Sequence, residues 1–143
     1  MARISFDLGR TLKKEYGPLK NARVLDVGCW EGRLSIPIAK QVKSLHGVDI
    51  RRCDSFKGKN VTFTRSTADK YFKTCKQNFD IIICSEVIEH IEDQKQFLED
   101  MNKCLTENGV MYLTTNNKYW WKEGHYNLPL FTYLPKCIRK PYL

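Results

Sequence analysis

Apolar residues recur along this chain with two spacings, and each spacing predicts a different element. In residues 6–16, Leu8, Leu12 and Tyr16 fall four apart, as on one face of a helix, and Gly17-Pro18 stops the run. Short apolar blocks at 23–27, 45–49, 61–64 and 79–85 predict four strands. The last holds Ile81, Ile82 and Ile83 in succession, the mark of a strand buried on both faces, as parallel sheets require. Residues 33–42 predict a helix with Leu34, Ile36, Ile38, Ala39 and Val42 as its apolar positions. Pro37 falls inside it and is expected in its first turn, where a missing N–H is harmless. Shorter helical or turn segments are expected near 51–56 and 69–74. Asp93, with Gln96 three residues on, predicts the start of a helix presenting Phe97, Leu98, Met101, Cys104 and Leu105; Asn108-Gly109 should end it. Residues 110–115 then give a fifth strand. Strands alternating with helices predict an α/β fold, a parallel sheet with helices on both faces and ligands at the carboxyl ends of its strands.

Composition narrows the picture. The 143 residues predict one domain, residues 1–143, with 42% hydrophobic and 12% aromatic content suited to a packed core. No N-terminal apolar run reads as a signal peptide and no segment as a membrane span, so a cytoplasmic location without membrane partners is expected. Six cysteines (Cys29, Cys53, Cys75, Cys84, Cys104, Cys137) lie at irregular spacings without a Cys-x-x-Cys pair, which favours reduced packing residues over disulfides or zinc. The formal charge of +8 is uneven, with ten Lys or Arg against three Asp between residues 40 and 76. Such a flank can attract nucleic acid, but no interleaved aromatics accompany it, and a solvated basic surface is the favoured reading.

The chemistry concentrates where strands end. Val24-Leu25-Asp26-Val27-Gly28-Cys29-Trp30-Glu31-Gly32 carries a buried strand into a glycine-bearing turn ahead of a helical pattern. That arrangement lets backbone N–H groups approach a ligand. The dinucleotide fingerprint Gly-x-Gly-x-x-Gly fails here, because Trp30 and Arg33 hold the second and third glycine positions, and no phosphate-binding P-loop is present. Asp49 closes the second strand 23 residues after Asp26, near the offset of about 20 at which an acid meets ribose hydroxyls in such folds. A helix N-cap or a solvated loop explains an isolated Asp49 equally well.

The turn resembles motif I of the class I S-adenosylmethionine-dependent methyltransferases, Leu-Asp-Val/Leu-Gly-Cys-Gly-x-Gly. Leu25, Asp26, Val27, Gly28, Cys29 and Gly32 match, and Trp30 replaces the middle glycine. A second resemblance runs from Phe79 through Asp80, Glu86, Val87, Ile88, Glu89 and His90 to Ile91, similar to the family's fourth strand and the turn after it. A third lies in Thr114-Thr115-Asn116-Asn117-Lys118, with Trp120, Trp121, Glu123, His125, Leu128 and Pro129 beyond. The resemblance spans about residues 20–135.

It implies a Rossmann-like domain that binds S-adenosyl-L-methionine and transfers its methyl group to a small-molecule acceptor. Cofactor-binding residues would be Asp26, Gly28, Gly32, Asp49, Ala68, Asp69, Ser85 and Glu86. His90 or His125 would act as base where the acceptor arrives protonated. Asp69 could instead be a helix N-cap, His90 could fix a helix start, and Trp120 and Trp121 could pack on the sheet. Glu86-Val87-Ile88-Glu89-His90 also has the outline of an inverted zinc-peptidase motif, but Glu stands where His is required and no metal is expected.

Members of that family usually continue into a final antiparallel strand pair, whereas this sequence stops at Leu143. The fifth strand is therefore expected at an open edge, covered by the C-terminal segment or by a second copy in a homodimer. The competing expectation is a degenerate or truncated form that binds cofactor as a scaffold without catalysing transfer, with Trp30 either stacking at the cofactor's edge or filling its pocket.

Overall fold

The computed structural model of the protein describes residues 2–115. Five strands form one sheet: β1 (Arg23–Val27), β2 (Ser44–Asp49), β3 (Val61–Arg65), β4 (Phe79–Ser85) and β5 (Leu105–Thr114). Their order across the sheet is β3-β2-β1-β4-β5, with every pairing parallel. The chain thus winds outward from β1 to one side, returns, and winds to the other, and β1 and β4 diverge from a crevice at their carboxyl ends.

Period-two alternation within each central strand feeds two separate cores. Val24, Leu45, Ile81 and Ile83 face one layer, where Leu8 and Leu12 of α1 (Ala2–Glu15) pack with Ile38 and Phe56. Leu25, Val27, Val48, Ile82 and Cys84 face the other, under Phe72 of α2 (Ala68–Thr74) and Phe97 and Met101 of α3 (Gln94–Lys103). Leu25, Ile81, Ile82, Ile83 and Met101 lose all solvent contact. That full burial, worth about 1.5–3 kcal/mol per large aliphatic side chain, explains why the isoleucine run reads as apolar at every position.

Two elements depart from the sequence expectation. Residues 33–42 do not form an α-helix: a turn leads into a short 3-10 helix at Ile36–Gln41, with Pro37 in its first turn. The second departure is at the end of α3. The helix stops at Lys103, earlier than Asn108-Gly109 suggests, because the Cys104 carbonyl accepts the Phe79 N–H at 2.7 Å and Leu105 joins the sheet opposite Phe79. Between that pair and Ile81↔Val110 the register shifts, so Asn108 and Gly109 lie in a bulge of β5. Asp80 sits opposite the bulge, where its carboxylate accepts the Arg23 backbone and guanidinium N–H groups at 2.8–3.2 Å and the Thr106 hydroxyl at 3.2 Å. These bonds hold the Asp80 carboxyl below its ordinary range in spite of its partial burial.

Asp93 caps α3 as its spacing implies, accepting the Gln96 N–H at 3.0 Å. Gln96 does not complete a reciprocal box, since its side-chain amide donates to Asp100. The expected absence of a final antiparallel strand pair, the covering of the β5 edge, His125, Trp120 and Trp121 all fall outside the described residues. Among the described residues no helix is long and apolar enough to cross a membrane.

Candidate functional site

The loops leaving β1, β2, β3 and β4 enclose a cavity of about 700 Å³ at the carboxyl ends of the strands. That size lies in the range of pockets that bury a small ligand. Of the residues singled out from sequence, Gly28, Asp49, Ala68, Asp69, Glu86 and His90 line it together, although up to 62 positions separate them in the chain.

The turn after β1 sets the near wall. Gly28 has φ +68°, its N–H bonds to the Val48 carbonyl at 2.8 Å, and a Cβ built there would stand 2.2 Å from Val87 Cγ2. Position 28 is thus restricted to glycine both by its left-handed backbone and by the close approach of the turn after β4. Trp30 also adopts a positive φ, 42°, which accounts for the glycine usual at this place in the resembled motif. Its indole does not fill the cavity. The side chain is 49% exposed at the mouth, with the Arg33 guanidinium 4.7 Å from the ring centroid.

Asp49 ties the turn to the end of β2. One carboxylate oxygen accepts the Trp30 N–H and the other the Arg51 N–H, both at 2.8 Å. Ile50, 59% exposed, provides an apolar wall beside it. Across the cavity, α2 begins with Thr67 as its N-cap residue, so Asp69 occupies the helix's first turn and is not the cap. Thr67 Oγ1 is buried with no partner of proper hydrogen-bond geometry, yet it stands close enough to the Asp69 carboxylate to be the main cause holding that carboxyl below its usual range. Lys70 and Asp69 backbone N–H groups act in the same sense. Glu86 leaves β4 with φ +56°, its N–H donating to the Thr114 carbonyl at 3.0 Å, and turns its exposed residue into the rim. His90 ends the short helical turn Ile88–His90 and is likewise exposed at the rim.

Three candidates do not line the cavity. Asp26 is only 3% exposed and accepts the hydroxyl of fully buried Ser35. Burial, together with the nearby Asp49 charge, pushes its carboxyl up to about 7 against the relief from Ser35. Gly32 is buried, with φ +71°, and a Cβ there would meet Ile36 at 2.5 Å and Phe56 at 2.8 Å, so the core requires this glycine. Ser85 shares a 2.7 Å hydrogen bond with Thr114 of β5. Ser35, Ile50, Arg51, Thr67 and Val87 were not singled out by sequence. Only the rule that loops after parallel strands form the ligand rim would have pointed to the last four. Glu89 points to Thr115, whose hydroxyl donates to it at 3.2 Å. No group of three or more His, Cys, Asp or Glu able to hold a metal ion occurs among the described residues.

The cavity suits a cationic nucleoside. Asp49, Asp69 and Glu86 supply carboxylates around it, and Val48, Ile50, Ala68 and Ile91 supply apolar wall.

The family model described as "Methyltransferase domain" matches residues 4–136. Among curated proteins, a ubiquinone biosynthesis O-methyltransferase of Pelagibacter ubique is 33% identical over 113 residues, covering 71% of this chain and 45% of that protein. The mitochondrial ubiquinone biosynthesis O-methyltransferase of Bos taurus is 29% identical over 112 residues, covering 71% of this chain and 30% of the relative. The chain therefore spans less than half the length of these curated relatives. Among solved structures, N-methyltransferase NodS of Bradyrhizobium japonicum, in complex with S-adenosyl-L-homocysteine, superimposes with a TM-score of 0.62. It is 18% identical, and the match covers 76% of this chain and 59% of that one.

Proposed function

We propose, for a chain that belongs to the methyltransferase-domain family, that it binds S-adenosyl-L-methionine in the cavity at the carboxyl ends of β1, β2, β3 and β4. The observation that carries this reading is the convergence of Gly28, Asp49, Ala68, Asp69, Glu86 and His90 on one cavity. The cofactor supplies an electrophilic methyl group on a sulfonium centre. Asp49, held at the end of β2 by two backbone N–H groups, offers its remaining lone pairs to neighbouring ribose hydroxyls. Ile50 and Ala68 flank a base, and Asp69 receives its polar edge. The acidic rim at Glu86 favours the cation.

The reaction is methyl transfer to an oxygen of a small-molecule acceptor, in keeping with the O-methyltransferase names of the curated relatives. Most of the acceleration comes from alignment of acceptor and methyl group, which can contribute about 7–11 kcal/mol. His90 at the rim takes the acceptor's proton where the acceptor arrives protonated. Cytoplasmic residence, a homodimer through the β5 edge, and Asp26, Gly32, Ser85 and His125 as further site residues belong to the same proposal. Asp26 and Gly32 would act by shaping the turn from behind.

Isothermal titration with S-adenosylmethionine and S-adenosylhomocysteine tests the reading, with saturable one-to-one binding expected. Asp49→Ala removes a charge-assisted contact worth about 1.5–3 kcal/mol, so affinity should fall roughly tenfold to a hundredfold while the circular dichroism spectrum stays native. Unchanged affinity in the folded variant would overturn the assignment of Asp49. For His90→Gln, the rate of methyl transfer to a protonated acceptor should fall by about 10²–10⁴-fold. A rate equal to that of wild type would remove His90 from the reaction.

A further inference from the structure

A second cavity, of about 380 Å³, opens at the amino ends of β1, β2 and β4, the end of the sheet opposite the proposed cofactor site. Its size falls in the range of small-ligand sites. Arg23 opens β1, Ser44 opens β2 and Phe79 opens β4, and the loop after α2 adds Lys76, Gln77 and Asn78 to the wall. Among the described residues no carboxylate lines it.

Arg23 is fixed in advance. Its Nε and Nη2 donate to the Asp80 carboxylate at 3.0 and 3.2 Å, and its backbone N–H donates to the same group at 2.8 Å. Asp80 itself stands outside the lining. The guanidinium is thus clamped along one edge while 42% of the side chain stays exposed, which leaves its remaining N–H donors to the cavity. A donor fork already held in place loses little freedom when an anion arrives. Lys76 is exposed and adds a second positive charge with no carboxylate partner among the described residues. Lys43, also exposed, precedes Ser44 at the same end of the sheet. The Ser44 hydroxyl and the Gln77 and Asn78 amides supply neutral donors and acceptors beside this charge.

We propose that this cavity binds a phosphate monoester of a small polyol, its phosphoryl group between Arg23 and Lys76 and its hydroxyls against Ser44, Gln77 and Asn78. The two cations divide the work by their chemistry: the guanidinium fork meets phosphoryl oxygens directionally, and the ammonium supplies a compact charge. A bare phosphate would leave the hydroxyl and amide groups unused. The site is separate from the one proposed for the cofactor, because Ser44 and Asp49 lie at opposite ends of β2, roughly 16 Å apart at about 3.3 Å per residue. Neither ligand enters the other's space, and the inference stands whether or not the cofactor reading does.

The test is isothermal titration of the full chain with glycerol 3-phosphate, with inorganic phosphate and glycerol as separate arms and backbone amide NMR spectra recorded at saturation. Glycerol 3-phosphate should bind saturably, inorganic phosphate more weakly and glycerol not at all. Amide signals of Ser44, Gln77 and Asn78 should move while those of Gly28, Asp49 and Ala68 stay in place. Lys76→Ala, at an exposed loop position, should weaken binding roughly tenfold with an unchanged circular dichroism spectrum, and Lys76→Arg should restore most of it. Added sodium chloride should weaken binding through screening. Arg23→Lys keeps a charge opposite Asp80 but loses the fork, so affinity should fall, and its melting temperature separates lost binding from lost fold. Absence of saturable binding, shifts confined to Gly28, Asp49 and Ala68, or unchanged affinity in folded Lys76→Ala would overturn the proposal. Inorganic phosphate binding as tightly as glycerol 3-phosphate would overturn the polyol body and make free phosphate the ligand. Displacement of glycerol 3-phosphate by S-adenosylhomocysteine would overturn the separateness of the two sites.

Discussion

Gly28→Val is expected to destabilise the protein by about 2–5 kcal/mol and to abolish measurable cofactor binding. Two costs add. A branched residue at φ +68° carries a left-handed penalty of about 1–2 kcal/mol. A Cβ 2.2 Å from Val87 Cγ2 also forces the turns after β1 and β4 apart, an overpacking that costs about 1–3 kcal/mol. Because both turns line the cavity, relief of the clash necessarily deforms the site. Chemical denaturation and titration calorimetry measure the two effects separately. The pair Gly28→Ala and Gly28→Ala/Val87→Ala divides the causes. Removing the Val87 methyls should restore the packing share and leave the backbone share. A Gly28→Val protein with native stability and affinity would mean that the turn does not have the described conformation.

The second large effect is a dependence of stability on pH that centres on Asp26. Its carboxyl is pushed up to about 7 in the folded protein from an unfolded value of 3.8, chiefly by burial. Below 3.8 it is protonated in both states and its contribution is fully present. As pH rises, the unfolded chain releases the proton first, and the contribution is lost progressively until the folded carboxyl ionises near 7. The difference amounts to something on the order of 4 kcal/mol between pH 4 and pH 8. His46 opposes part of this loss, because burial lowers its folded value below 6.5 and folding then gains as pH rises toward 6.5. Comparison of wild type with Asp26→Asn cancels the histidine's share. The wild-type stability profile, from urea denaturation at half-unit steps, should fall over this range relative to a flatter Asp26→Asn profile. Parallel profiles would show that Asp26 ionises normally.

The strand framework was legible in the sequence because burial on both faces leaves an uninterrupted apolar signature. β1 and β4 begin and end where the apolar blocks do, and Ile81-Ile82-Ile83 divides between the two cores as a parallel strand demands. The convergence of Gly28, Asp49, Asp69 and His90 was legible for a related reason, since the wound topology delivers every strand's carboxyl end to one rim. Other features depend on contacts distant in sequence. Nothing near Asp26 announces that Ser35 will take its carboxylate, and Gly32 resembles a ligand-facing glycine although Phe56, 24 residues on, occupies the space beside it. The end of α3 was misplaced for the same cause. Leu105 fits the apolar stripe of the helix, and only the available partner Phe79 draws it into the sheet. Trp30 could be read as a plug because its residue type was visible while its backbone angle was not.

The sheet order also bears on how the chain is made. β1, central in the sheet, leaves the ribosome long before β4, its neighbour on one side, and can pair first only with β2. At about 5–20 residues per second, the roughly 50 residues between the end of β1 and the start of β4 take several seconds to appear. Throughout that interval one edge of Val24, Leu25 and Val27, all without solvent contact in the finished protein, stays unpaired. Nascent chains paused before Phe79 should therefore engage chaperones, and those released after Thr114 should engage them far less.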